Sequence, residues 1–192
     1  VMKIQDSFFA NKQVVVTEKM DGENTTLHRD YFHARSLESA NHPSQSWVKN
    51  FWGSIRYNIP EGYKVCGENL YALHSIPYFN LQSYFLGFSI FNPDNICLDW
   101  DSTISLFNQI GITAVPVLYR GIYNEYLIKE LFRDDGSMEG YVIRVESGFH
   151  INDFHRNIGK FVRKDHVKTD QHWKNSKIVK NVMKENKIYL SK

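Results

Sequence analysis

The chain has 192 residues, of which 42% are hydrophobic and 15% aromatic, enough for one packed domain or one domain with a small appendage. Formal net charge is +2, but residues 160–192 hold ten Lys or Arg against three Asp or Glu, which leaves −5 for the preceding 159. Two cysteines, Cys66 and Cys97, are too few for a disulfide framework or a zinc cluster, and no apolar run is long enough to span a bilayer. These counts exclude small disulfide-rich and helical membrane classes. They point to a reducing, cytoplasmic compartment, where the glycosylation sequon Asn24-Thr25-Thr26 goes unused. The charge asymmetry suits a polyanion partner for the C-terminal part, or simply a solvated basic face. A chain that begins at Val1 reads as a trimmed or partial product.

Residues 1–12 are irregular, with a short turn at Ser7-Phe8-Phe9-Ala10. The β-branched run Val14-Val15-Val16 predicts a buried strand over 13–19. A hairpin follows, 24–28 and 31–35 about a turn at Arg29-Asp30, then a polar loop over 36–46. Trp47, Val48, Phe51, Trp52 and Ile55 recur at helical spacing, so 45–57 is an amphipathic helix with its tryptophans in the core. Strands are expected at 63–69 and 84–91, with 96–100 pairing back across the turn at 92–95. A helix capped by Asp101 or Ser102 runs to Ile110 and stops at Gly111. Next come a Pro116-interrupted edge strand at 113–119, a helix at 125–132, and strands at 139–146 and 159–163. The residues after 168 read as a basic helical extension.

The pattern is α+β with largely antiparallel sheets flanked by helices, not a doubly wound fold. Phosphate-loop, Rossmann and zinc-protease motifs are all missing. His150 and His155 share a loop, but two loop histidines are ordinarily polar surface.

The chemistry-bearing stretch is Thr17-Glu18-Lys19-Met20-Asp21-Gly22-Glu23-Asn24, at the mouth of the first long strand. A lysine there, beside low-dielectric core, can act as a nucleophile once deprotonated. Gly22 lets the chain turn and admits close backbone approach. Asp-Gly is equally an ordinary hairpin signal, so the stretch alone reads as a turn or as a site. Other strand-end polar residues follow in order: Arg35 in Ala34-Arg35-Ser36, Glu68 in Cys66-Gly67-Glu68, Phe88 in Gly87-Phe88-Ser89, Glu139 before Gly140-Tyr141-Val142, and Lys160 before Phe161-Val162-Arg163-Lys164. Taken singly, Phe88 reads as core, Glu68 as a strand-end charge and Arg35 as surface.

In that order the set resembles the covalent lysyl-nucleotidyltransferases, the polynucleotide ligases and RNA-capping enzymes, and most closely the ATP-dependent RNA ligases. The resemblance spans nearly the whole chain. It implies an ATP-grasp-like nucleotidyltransferase domain over 1–168, with 169–192 as the extension. It implies RNA with 5′-phosphate and 3′-hydroxyl ends as partner, ATP as co-substrate, Mg²⁺ or Mn²⁺ as metal, and a monomer. Lys19 would form lysyl-AMP, helped by Asp21 and Lys160, and Glu139 would be the metal-side carboxylate. Glu68 would accept from the ribose hydroxyls, Phe88 would stack on adenine, and Glu18 with adjacent backbone would read the amino edge. Arg35 would hold sugar or phosphate.

Three departures mark the chain. Asn24 stands where many relatives have arginine, a subgroup mark of RNA ligases. Val162 stands where a second lysine is common, leaving Arg163 or Lys164 as substitutes, although Arg163 should face the other way on a regular strand. Ser89 replaces an acidic residue. The 29 residues after Arg163 are too few for an oligonucleotide-binding barrel. That weighs toward an RNA ligase or a truncated chain, and against a capping guanylyltransferase or DNA ligase core. A non-catalytic nucleic-acid-binding relic is the remaining alternative.

Overall fold

A computed structural model of the chain describes residues 2–3, 6–35, 42–164 and 177–184. The described elements run β1 (Met2–Lys3), α1 (Asp6–Phe9), β2 (Gln13–Lys19), β3 (Glu23–Leu27), β4 (Phe32–Ala34), α2 (Ser46–Ile55), β5 (Lys64–Asn69), β6 (Phe85–Phe91), β7 (Ile96–Cys97), α3 (Trp100–Ile110), β8 (Thr113–Ala114), β9 (Val117–Ile122), α4 (Glu125–Lys129), β10 (Gly140–Val145), β11 (Phe149–His150), α5 (Phe154–Asn157) and β12 (Ile158–Val162). They form two sheets. The first has five strands in the order β1-β12-β10-β2-β9; the second has seven, β11-β7-β6-β5-β3-β4 with β8 beside β6. Pairing is antiparallel except at β1/β12 and β6/β8, so the α+β reading holds, and no sheet closes into a barrel among the described residues.

Burial follows composition. Val14, Val15 and Val16 are fully buried in β2, the centre of the first sheet's working half. The outer face of the second sheet carries Leu27, Val65 and Phe85, and is covered by Val48 and Ile55 of α2 and Phe107 and Ile110 of α3. Trp47 and Trp52 pack against the same cluster, as the helical spacing predicts. Phe91, Cys97 and Phe149 of the second sheet join Tyr141, Ile143 and Val145 of the first in a shared core. Arg144 stitches the sheets further, donating to Leu98 O at 2.8 Å and to Cys97 Sγ at 3.5 Å.

Several boundaries differ from expectation. The start of the chain is not wholly irregular: β1 lies parallel to β12, a long-range partner invisible to local pattern. The cap of α3 is Asp99, whose side chain accepts from Ser102 N, so the helix opens at Trp100 and only Ile96–Cys97 pairs back. Pro116 does more than mark an edge: the chain leaves the second sheet after β8 and enters the first at β9, and Pro116 O accepts from Glu18 N. The predicted helix at 125–132 ends at Lys129. The helical tail is corrected where it is described: residues 177–184 run extended, with bridges from Lys180 to Ala72 and from Met183 to Leu81. The rest of the expected helix lies outside the described residues.

Candidate active site

β2 ends at Lys19, and the turn into β3 carries Asp21 and Gly22. In β2, β10 and β12 the register aligns Thr17 with Val142 and Lys160, and Lys19 with Gly140 and Val162. Side chains alternate along a strand, so Lys19, Lys160 and Val162 share one face. That face looks toward the second sheet, since Arg144, two residues on from Val142, reaches Cys97 and Leu98. Lys19 Nζ donates to Glu139 Oε2 at 2.9 Å, and Glu139 is only 2% exposed. Gly140 is what allows this junction: a Cβ there would lie 1.9 Å from Phe161 O.

The second sheet brings the other carboxylate. In the register of β3 and β5, Asn24 lies opposite Glu68. Burial pushes the Glu68 carboxyl up to about 8; Lys19 opposes that shift, Glu139 and Asp21 reinforce it, and the Gly22 N–H donates to it. A Cβ on Gly22 would meet Asn69 O at 2.5 Å, so the loop can settle onto the end of β5 only as glycine.

Asp21 is buried at 5% exposure and turned to a different task from Lys19. Its Oδ2 accepts from Ser75 N, Ser75 Oγ and Ile76 N, each at 2.8 Å. Burial alone would raise this carboxyl, but those hydrogen bonds and the charge of His74 hold it below the ordinary value. Asp21 N donates to the Tyr78 hydroxyl at 2.8 Å. Tyr78 N in turn donates to Asn181 Oδ1 at 2.9 Å, and burial pushes the Tyr78 phenol up. The extended tail is thereby tied to the turn that follows Lys19. Asn181, 1% exposed, also donates from Nδ2 to Leu70 O and accepts at its carbonyl from Tyr84 Oη.

The remaining expected residues divide. Phe88 is the extra residue at the bulge between β5 and β6, and packs on the cluster of Met20, Leu70 and Leu86 beside Lys19. Arg35 is exposed just past β4, its N–H donating to Asn24 O. The Glu18 side chain lies on the Val14–Val16 side of β2, against Arg133 at 3.2 Å, on the face opposite Lys19. Burial raises the Glu18 carboxyl and Arg133 counters it. Arg163 follows β12 on the face opposite Lys160, and its shielded Nε has no hydrogen-bond partner among the described residues. Lys164 is exposed. Val162 therefore occupies the second position of the Lys160 face. Tyr78, Arg133 and Asn181 were not singled out from the sequence, where nothing but proximity in space distinguishes them. Surface hollows of about 450 and 410 Å³ lie elsewhere, and neither is lined by Lys19, Glu68 or Glu139. Converging charge marks this site.

Two largely antiparallel sheets thus bring a lysine at a strand mouth against a buried carboxylate. A family model described as RNA ligase matches residues 12–162, and the chain belongs to that family. Similar solved structures include a Naegleria gruberi RNA ligase variant with ATP and Mn, at 18% identity and TM-score 0.57 over 81% of this chain and 50% of that one. An archaeal ATP-dependent RNA ligase is similar at 17% identity and TM-score 0.57, over 84% and 47%. A putative ATP-dependent DNA ligase from Aquifex aeolicus is similar at 20% identity and TM-score 0.57, over 84% and 48%. At these identities the likeness establishes the fold, and the chain spans about half the length of those proteins. No curated protein matches. No helix among the described residues is long and apolar enough to cross a membrane.

Proposed function

We propose that this chain is the adenylyltransferase domain of an ATP-dependent RNA ligase. Lys19, as the neutral amine, attacks the α-phosphorus of ATP. A nitrogen–phosphorus bond forms, the bond to the bridging oxygen breaks, and pyrophosphate leaves with the electron pair. AMP then passes from Lys19 to an RNA 5′-phosphate, and a 3′-hydroxyl displaces it to form the phosphodiester. The observation that carries this reading is the Lys19–Glu139 contact beside Glu68, on the face shared with Lys160.

Lys160 faces the charge that develops on the phosphoryl group, where most catalysis of this type arises. Glu68 accepts from the ribose hydroxyls, Phe88 stacks on adenine, and the Glu18 backbone beside Lys19 reads the base edge. Asn24 and Arg35 sit toward sugar and phosphate; Lys164 and Arg163 are the further cations. Asp21 acts as a positioning residue, holding the turn that carries Lys19. Among the described residues no group of three His, Cys, Asp or Glu could hold a metal by itself. Glu139, a hard oxygen donor, would be the protein ligand of Mg²⁺ or Mn²⁺, which keeps waters and binds through one or two carboxylates plus substrate phosphates. When bound, the cation neutralises phosphate charge.

The test is intact-mass measurement after incubation with ATP and Mg²⁺ or Mn²⁺. Wild type should gain one adenylate, pyrophosphate should remove it, and Lys19→Ala should gain none. A wild type that never gains the adenylate refutes the reading. GTP in place of ATP, and nicked DNA in place of RNA, separate it from capping and DNA-joining chemistry.

A further inference from the structure

The face that carries Glu68 does not end at the nucleotide. Alternation along β3 puts Asn24, Thr26 and His28 on one side, and the register sets Thr26 opposite both Cys66 and His33. Four residues separate Asn24 from His28, about 13 Å of strand at ~3.3 Å per residue. There, at the edge strand β4, three rings cluster, two of them stacked face to face. His28 lies on Tyr31 at 4.1 Å between centroids and 15° between planes; His33 is 5.3 Å from His28 and 6.1 Å from Tyr31. Tyr31 is 55% exposed and His33 is exposed. A core cluster would be hidden, but this one opens to solvent.

The stack is uncharged at its centre and basic at its rim. Burial first, then the charges of His33 and Lys64, hold His28 down at about 4, so its ring is neutral at ordinary pH. Its Nε2 makes no hydrogen bond to any described residue. Lys64 continues the same face of β5, Arg35 follows His33 at alternate spacing, and Arg29 stands at the hairpin turn. The acid at this tip, Asp30, is paired with Arg56 at 3.5 Å. Exposed rings interleaved with cations are the surface that single-stranded nucleic acid uses: every base has a π-face, and the cations follow the backbone.

We propose that His28, Tyr31 and His33 form a stacking platform for unpaired RNA bases, rimmed by Arg29, Arg35 and Lys64, which leads a strand along the second sheet to Lys19. It rests on the RNA-joining reading above and names the surface through which that substrate is held. The platform is sequence-tolerant, since rings read stacking and not base edges.

The experiment measures anisotropy of a fluorescent 5′-hydroxyl oligo(U), which binds but cannot accept AMP, over a range of salt. Tyr31→Ala and His33→Ala should each weaken binding about tenfold, within what base–aromatic stacking contributes. Tyr31→Phe, which keeps the ring, should bind as wild type does. Lys64→Ala should flatten the dependence of log affinity on log salt by about 0.7, and Tyr31→Ala should leave that slope alone. Duplex RNA of the same length should bind more weakly than the single strand. Unchanged affinity in both alanine variants, a Tyr31→Phe as weak as Tyr31→Ala, or preference for duplex would overturn the platform. Adenylate gain by wild type is scored separately. A protein that binds oligo(U) through Tyr31 yet never takes AMP keeps the platform and loses the ligase reading; one that takes AMP but binds RNA indifferently to Tyr31 does the reverse.

Discussion

Glu68 has the most perturbed carboxyl described at the site, and its sign is informative. Its ordinary value is 4.5; in the folded protein burial carries it up to about 8, with Lys19 pulling back and Glu139 and Asp21 pushing further. A carboxyl raised on folding binds its proton more tightly in the native state. Its contribution to stability is therefore fully present below 4.5 and is lost as pH rises toward about 8. Glu68→Gln removes that dependence. The thermal midpoint of the ATP-free wild type should fall relative to Glu68→Gln across this window, and parallel midpoint curves would show that Glu68 is not strained. Asp21 has the opposite sign, held low by Ser75 and Ile76, so the part it contributes is lost only in acid. That Lys19, Glu68 and Glu139 stand together was legible from their order as strand-end polar residues along the chain. Tyr78 and Arg133 were not, because their partners lie 57 and 115 residues away. The same holds for the partner of Glu18: strand alternation puts Glu18 off the Lys19 face, but only the fold brings Arg133 up to meet it.

Most strands were readable from period and turn chemistry, and the errors sit where tertiary contact overrides local pattern. Pro116 was rightly an edge signal, since β9 is the edge strand of the first sheet, but the crossing between sheets that it marks was not visible. The two-residue strand β1 exists only because β12 pairs with it. The extended segment 177–184 is the largest such case. Its lysines suit a helix, yet Asn181 holds it to the loop that holds Asp21. Asn181→Ala would leave Tyr78 N and Leu70 O without their side-chain partners, a cost of about 1–3 kcal/mol for each buried group left unmet. Hydrogen exchange at Leu73, Tyr78 and Leu81 should quicken, while amides in β5 stay protected. On the proposed ligase reading, the rate of adenylate gain should fall with less change in ATP affinity, since Asn181 braces the turn at Lys19 and touches none of the residues proposed to hold the nucleotide. Unaltered exchange at Tyr78 would show that Asn181 is an incidental contact.

At the scale of the molecule the two sheets differ in how their strands are drawn from the chain. Most of the second comes from one continuous stretch, β3 through β8, whereas the first joins β1 and β2 to strands more than ninety residues later. Nearby pairings close sooner than distant ones because less chain entropy is lost in making them. In pulse-labelled refolding, amides of β5 and β6 should gain protection before those of β10 and β12, and the reverse order would contradict this. The tie at Asn181 then has a consequence for biosynthesis. The amide of Tyr78 is made early, but its acceptor emerges from the ribosome more than a hundred residues later. A nascent chain that has not yet exposed that asparagine carries Lys19 without its full brace, so the turn is completed only once residue 181 has left the ribosome, however early Lys19 itself was made.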